Sequence, residues 1–370
     1  MLSEIPFILQ NFLDTEGGDI LIETLHSGHI NHTFKVCLPD GSAYILQNIN
    51  TAVFQYPDRI MANVEIVAQH LQAKAYPQAI LQFLKTKTGD RFFEMPKAVA
   101  QNGVSKGTEK QVWRLCPFIP NTYSILTAAS PQQAFDAAAA FGAYFAYLSD
   151  LDTSKIQTVI PNFHNPDFRI QEYRTAFLQK ETPSLERLQK AASALALVEQ
   201  HLGLFEHRRY GLPKRIAHND TKISNLLFDS GTHKPISVID LDTVQVETVL
   251  SEFGDMLRSY TPSFDEDEPD AQKVTMRFEY FEAVASGFLS ETTAILTPVE
   301  KSLLVYGGLR TVFVQALRFL TDYLNHDIYY KTHYADHNLV RAKNQFALFQ
   351  SILKQQKQME TFINRFVSSV

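Results

Sequence analysis

Near the start of the chain, "TFKVCL" and "AYILQNI" alternate apolar and polar positions and flank "PDGS". The Pro-Asp-Gly content of that link is turn chemistry, so residues 19–50 read as paired strands. "PDRIMANVEIVAQHLQAK" instead places Ile60, Val64, Val67 and Leu71 at helical spacing. "ILQFLKTKTGDRFFEM" reads as a second hairpin around Gly89, and "QVWRLCPFI" as a further strand. After "IPNTYS" the texture changes. "SPQQAFDAAAAFGAYFAYLSDL" opens with Ser130 at a capping position and Pro131 at the first helical position. Helices then dominate to the end, apart from a strand pair in "NLLFDS" and "ISVIDLD". The pattern predicts an α+β chain with two lobes: a small antiparallel-β lobe over residues 1–120 and a larger, mostly helical lobe over 121–370.

Composition narrows the partners. The 370 residues suffice for two modest domains, and a 45% hydrophobic, 20% charged chain is not expected to be disordered. A net charge of −6 argues against nucleic acid, which needs a basic face, while leaving room for a small phosphorylated ligand. The two cysteines, Cys37 and Cys116, lie far apart and fit a reducing cytoplasm better than a disulfide framework. The N-terminal "MLSEIPFILQNFL" lacks a basic n-region and carries Glu4, so no signal peptide is expected. No apolar window approaches the length of a membrane span.

The chemistry concentrates in "RIAHNDTKISNLLFDS". Its spacing is His-x-Asp-x-x-x-x-Asn, with His218, Asp220 and Asn225, and "SVIDLD" follows with Asp240 and Asp242. Protein kinases use this order: a loop carboxylate to take a hydroxyl proton, then an amide and a second carboxylate to hold Mg²⁺ against nucleotide phosphates. Magnesium takes oxygen ligands and keeps several waters, so two or three side chains suffice. If "SVIDLD" is a strand, Asp240 and Asp242 share a face roughly 6.6 Å apart. A bound cation would offset their repulsion, and Lys222 would reach the transferred phosphoryl group. An isolated H-x-D loop is usually a capped turn; the joint pattern favours chemistry. His26, His29 and His32 in "HSGHINH", and His326, His333 and His337, lack convincing metal geometry. The acidic run "DEDEPD" (265–270) reads as a solvated face, and Trp113 as core.

"AHNDTKISNLLFD…VIDLDT" resembles the aminoglycoside phosphotransferase and choline kinase superfamily of small-molecule kinases. Within it the likeness is greatest to N-acetylhexosamine 1-kinases, through "GHINHTF", "YILQNINTAVF", "NVEIV", "WRLCPFI", "FGDMLR", "EDE", "LRFLTDYL", "DIYY" and "HNLVRA" in the same order, from about residue 20 to 350. The resemblance implies a bilobal kinase fold that uses ATP and Mg²⁺ to phosphorylate the anomeric hydroxyl of an N-acetylhexosamine. It makes Asp220 the base and Asn225 and Asp240 the metal ligands, with Asp242 nearby. It places Gly28 and His29 at the turn over the phosphates, with His29 also close to the reacting groups and Gln47 on the adjoining strand. The backbone from Arg114 through Cys116 to Phe118 would be the hinge that meets adenine, and Arg318 and Tyr329 would contact the sugar. Three departures stand out. The glycine loop G-x-G-x-x-G is absent. Gln47 stands where a phosphate-gripping strand lysine is usual, which leaves phosphate neutralisation to Mg²⁺, Lys222 and Arg59. Ser259 replaces a phenylalanine of the sugar site, and the preceding loop "VQVETVLSE" lacks a Met-Pro-Gly turn, which implies a remodelled acceptor pocket. The alternatives are a same-fold kinase of another sugar, an amino alcohol or an aminoglycoside, and, from another class, a nucleotide-binding pseudokinase.

Overall fold

Five antiparallel strands open the chain: β1 (Leu21–Leu25), β2 (His32–Cys37), β3 (Ala43–Ile49), β5 (Phe93–Pro96) and β6 (Lys110–Pro117), in the order β1-β2-β3-β6-β5. The computed structural model describes residues 2–15, 18–25, 30–96, 110–178 and 184–369. The predicted β2–β3 hairpin forms around Gly41, whose φ of +86° is cheap only for glycine, with Phe34 opposite Leu46. One face of the sheet buries Phe34, Val36, Leu46, Trp113 and Leu115 against Ile5, Ile8 and Leu9 of the short helix α1 (Ile5–Gln10). The spacing of Ile60, Val64, Val67 and Leu71 is realised in α2 (Pro57–Ala73), where all four are buried.

The expected second hairpin does not form. Gly89 does sit in a tight turn closed by its N–H on Thr86, but the flanking segments pair elsewhere. β4 (Ala79–Ile80) lies parallel to β10 (Pro235–Val238), and β5 joins β6. β4, β10, β9 (Leu226–Asp229) and β7 (Thr122–Tyr123) make a second sheet. Alternation cannot choose between a local and a remote partner strand.

The chain divides into two units. The first comprises residues 1–123, 150–160 and 227–245; the second holds 124–149, 161–226 and 246–370. Buried Asn63 of α2 ties the late segments into the first unit, its amide donating to the carbonyls of Gln157 and Val244 and accepting the N–H of Gln157.

The second unit is helical: α3 (Pro131–Tyr147), α4 (Pro166–Leu178), α5 (Leu185–His201), α6 (Val249–Tyr260), α7 (Phe278–Thr292), α8 (Pro298–Ser302), α9 (Leu304–Leu324) and α10 (His337–Ser369), with a short strand β8 (Arg215–Ala217). Ser130 caps α3 as expected, accepting the N–H of Gln133. Close approach is built on glycine: a Cβ on Gly254 of α6 would lie 2.2 Å from Thr311 Oγ1 and 2.6 Å from the Gly307 carbonyl of α9. Phe205, Phe313 of α9 and Phe349 of α10 meet in tilted and edge-on contacts.

Candidate active site

β8 ends at Ala217 and delivers His218, Asn219 and Asp220 onto a loop that a 3₁₀ turn, Ile223–Asn225, returns to β9. Asn219 adopts φ +67°, a left-handed conformation that asparagine tolerates better than most residues. The turn is held from several sides. Asn219 donates its amide to Ala217 O, and Ser251 Oγ donates to Asn219 Oδ1. Glu252 Oε1 accepts the Asn219 N–H at 2.6 Å. Thr221 donates to the Glu252 carbonyl, and Tyr260 donates its hydroxyl to the Thr221 carbonyl. His218 is fully buried edge-on to Phe141, its ring Nδ1 accepting the N–H of Asp220.

Asp220 is partly exposed. Asn225 donates its amide to both the carbonyl and Oδ2 of Asp220, at 2.8 and 2.9 Å, and Lys222 Nζ lies 2.8 Å from the same Oδ2. Burial pushes the Asp220 carboxyl up, but the charge and hydrogen bond of Lys222, with His218 and Asn225, hold it at about 2. The result is a fixed, ionised carboxylate whose Oδ1 accepts no hydrogen bond among the described residues. Lys222, expected on a phosphoryl group, is here the counter-ion of Asp220.

The "SVIDLD" segment differs from expectation. Strand β10 stops at Val238, Asp240 turns left-handed at φ +60°, and Leu241–Thr243 forms a 3₁₀ turn. Asp240 and Asp242 therefore do not share a strand face. Asp240 is half-buried, whereas Asp242 is only 1% exposed. Arg114 grips Asp242 in fork geometry, with Nη1 on Oδ1 at 2.5 Å and Nη2 on Oδ2 at 2.9 Å, and Asn31 donates to Oδ2 at 2.7 Å. Both oxygens are thus engaged, and Asp242 is the counter-ion of Arg114.

The same pair accounts for Gln47. Arg114 faces Gln47 across the β3–β6 ladder and donates Nε to its Oε1, while Gln47 Nε2 donates to Thr33. A cation does stand beside the position of the missing lysine, but it comes from the neighbouring strand and is itself buried. Along the expected hinge, Cys116 is buried with its thiol pushed up to about 12 by desolvation, and Phe118 donates its N–H to Ala43. Arg59, a suggested phosphate partner, donates to the Thr158 carbonyl and lies over the Tyr56 ring. Gly28 and His29 lie outside the described residues.

In the helical unit, Arg318 and Tyr329 do come together, the guanidinium 5.8 Å from the ring centre, with Tyr330 and Phe163 at 5.5 and 5.6 Å. Asp322 holds this turn by accepting the N–H groups of Tyr329 and Tyr330. Ser259 donates back to the Asp255 carbonyl of its own helix. Four members of the acidic run are engaged by basic side chains: Glu266 by Arg258, Asp267 by Arg341 and the His337 ring, and Glu268 and Asp270 by Lys273.

Two residues here were not singled out in the sequence. His164 is hydrogen-bonded to the Asn219 carbonyl at 3.0 Å. Burial pushes its pKa down to about 3 against that bond, with the charges of Arg310, Arg318 and Arg169 adding to the shift. Glu252 lies in the anomalous "VQVETVLSE" stretch, and that anomaly was the only available hint.

The sequence profile of the Phosphotransferase enzyme family matches residues 22–284. The chain belongs to this family. It is therefore a small-molecule kinase of the phosphotransferase family, an enzyme that transfers a phosphoryl group to a hydroxyl. Solved structures agree on the fold. A microcompartment-associated aminopropanol kinase is similar at 16% identity and a TM-score of 0.61, covering 97% of this chain and 99% of its own. Choline kinase from Cryptosporidium parvum Iowa II is similar at 14% identity and 0.57, covering 99% of each chain. An amicoumacin kinase in complex with AMP-PNP, Ca²⁺ and Ami is similar at 12% identity and a TM-score of 0.58, covering 94% of this chain and 93% of its own. The phosphotransferase family thus accounts for the kinase-like α+β architecture, with its antiparallel sheet and helical unit.

Proposed function

We propose that the chain uses ATP and Mg²⁺ to phosphorylate the anomeric hydroxyl of an N-acetylhexosamine. The observation that carries the transfer chemistry is the fixed Asp220 carboxylate, with Asn225 and Lys222 on one oxygen and the other open to a hydroxyl. Asp220 orients that hydroxyl and takes its proton, and Lys222 stands where it can release Asp220 as negative charge develops nearby. Transfer of this kind depends chiefly on positioning and electrostatics.

The donor set suits a hard cation. The amide nitrogen of Asn225 is engaged by Asp220, leaving its carbonyl oxygen as donor, and Asp240 brings a carboxylate. When bound, Mg²⁺ would neutralise the phosphate oxygens. Gly28, His29 and the Arg114–Phe118 backbone are the proposed nucleotide contacts; Arg318 and Tyr329, with Ser259, are proposed for the acceptor.

A second reading, an amino alcohol or aminoglycoside acceptor, draws on the names of the similar kinases. The charge beside the catalytic loop speaks against it. Arg318 has an amide, Gln315, as its hydrogen-bond partner, Arg310 Nη2 is buried without one among the described residues, and four of the five carboxylates in the acidic run are already engaged by basic side chains. Such a wall suits the hydroxyl and carbonyl oxygens of a sugar and repels an ammonium group. The test is ADP release with ATP and Mg²⁺ on free N-acetylhexosamines, their 1-O-methyl glycosides, aminopropanol and choline. Turnover of the free sugars alone is expected, and Asp220→Asn should lower it about 10²–10⁴-fold while nucleotide still binds. Turnover of the amines instead would replace the sugar reading, and retention of a tenth of the activity by Asp220→Asn would remove its assigned role.

A further inference from the structure

We propose that Glu252 is a positioning residue that aims Asp220 by holding the left-handed Asn219 turn, and that it acts as a neutral hydrogen-bond acceptor rather than as a charge. The inference rests on the role proposed for Asp220.

The geometry is direct. Glu252 is 0% exposed, and its Oε1 accepts the N–H of Asn219, the residue immediately before Asp220. Asn219 is the one residue between His218 and Asn225 with positive φ, so its peptide plane sets the direction in which the chain leaves toward Asp220. Nothing about that conformation is self-sustaining, since a left-handed non-glycine residue persists only when its surroundings over-determine it. Here the surroundings come largely from α6: Ser251 holds the Asn219 side chain, Glu252 its N–H, the Glu252 carbonyl the Thr221 hydroxyl, and Tyr260 the Thr221 carbonyl. The Glu252 carboxyl acts on the backbone N–H of Asn219 itself, from a helix that the Gly254–Gly307 approach fixes against α9.

Charge is the wrong currency for this contact. Among the described residues no Lys, Arg or His side chain forms an ion pair with Glu252, and its Oε2 is buried with no hydrogen-bond partner. Burial pushes the carboxyl up to about 8, against the N–H groups of Asn219 and His218, with the charges of Asp255 and Asp220 raising it further. At neutral pH the group is a neutral acid that offers one carbonyl-type oxygen. Glutamine offers the same oxygen at the same reach.

The experiment compares Glu252→Gln, Glu252→Leu and Asp220→Asn with the wild-type chain, reading kcat, both KM values and amide hydrogen exchange at Asn219. Glu252→Gln is expected to keep kcat within about threefold and to keep Asn219 protected. Glu252→Leu is expected to lose kcat about 100-fold with the KM for ATP within about twofold, and to expose Asn219 to exchange. Collapse of kcat in Glu252→Gln would show that the charge matters and overturn the proposal. So would full kcat in a folded Glu252→Leu. Should the leucine variant not fold, the glutamine variant still decides: loss of Asn219 protection with kcat intact refutes the anchor. Retained turnover in Asp220→Asn would instead remove the reading on which the proposal rests, while the exchange data would still report whether Glu252 holds the turn.

Discussion

A buried carboxyl with a raised pKa leaves a mark on stability, and Glu252 supplies the case at the scale of one residue. Its folded value of about 8 lies above the 4.5 of an ordinary glutamate. Between those values the folded chain holds a proton that the unfolded chain has released. The stabilisation is therefore full below about 4.5, declines as pH rises, and is gone above about 8. Asp255 and Asp220 face the same group and steepen the penalty. Urea unfolding at pH 5.5 and 8.5 should show the wild type losing on the order of a few kcal/mol more than Glu252→Gln. Equal losses in both proteins would place the proton elsewhere.

At the scale of elements, the catalytic turn depends on how closely α6 can approach α9. Gly254, Gly307 and Gly308 let the two backbones meet, and a Cβ at Gly254 has no flexible neighbour to displace on the Gly307 side. Gly254→Ala should destabilise the fold by about 1–3 kcal/mol, as overpacking of a close interface does. Because α6 also carries Ser251, Glu252 and Tyr260, the variant's surviving folded fraction should show a lower kcat as well. Thermal denaturation together with turnover per folded molecule checks both parts; an unshifted melting temperature would mean that the helices separate without penalty. The capping residues of α3, by contrast, act within their own helix, which is why Ser130 and Pro131 announced it in advance.

At the scale of the whole chain, Arg114 and Asp242 lie 128 residues apart yet form a fully buried fork. Removing one partner of such a pair leaves an uncompensated charge. Arg114→Met is expected to lose about 3–5 kcal/mol, and the double replacement Arg114→Met, Asp242→Leu to recover most of it. A double-mutant cycle in urea measures this, and additive losses would mean that the two residues are not coupled. The pair also shows what spacing along the chain did not, that Asp242 meets a cation from a distant strand. Its spacing from Asp240 fitted a strand, but β10 ends at Val238 and the following 3₁₀ turn sends the two carboxylates to different surroundings.

The sequence by itself determined what depends on near neighbours. The β2–β3 hairpin, α2 with its buried face, α3 with its cap, and the His218–Asp220–Asn225 loop all follow from turn chemistry, periodicity and short spacing. The order of residues in that loop was also enough to place the chain among kinases. What only the tertiary structure decided involves partners distant along the chain: β4 choosing β10, Asp242 meeting Arg114, Asn63 gathering residues 157 and 244, and His164 and Glu252 closing on Asn219. A buried polar group takes whichever partner the fold brings within 3 Å, and spacing along the chain carries no information about a partner 30 or 130 residues away.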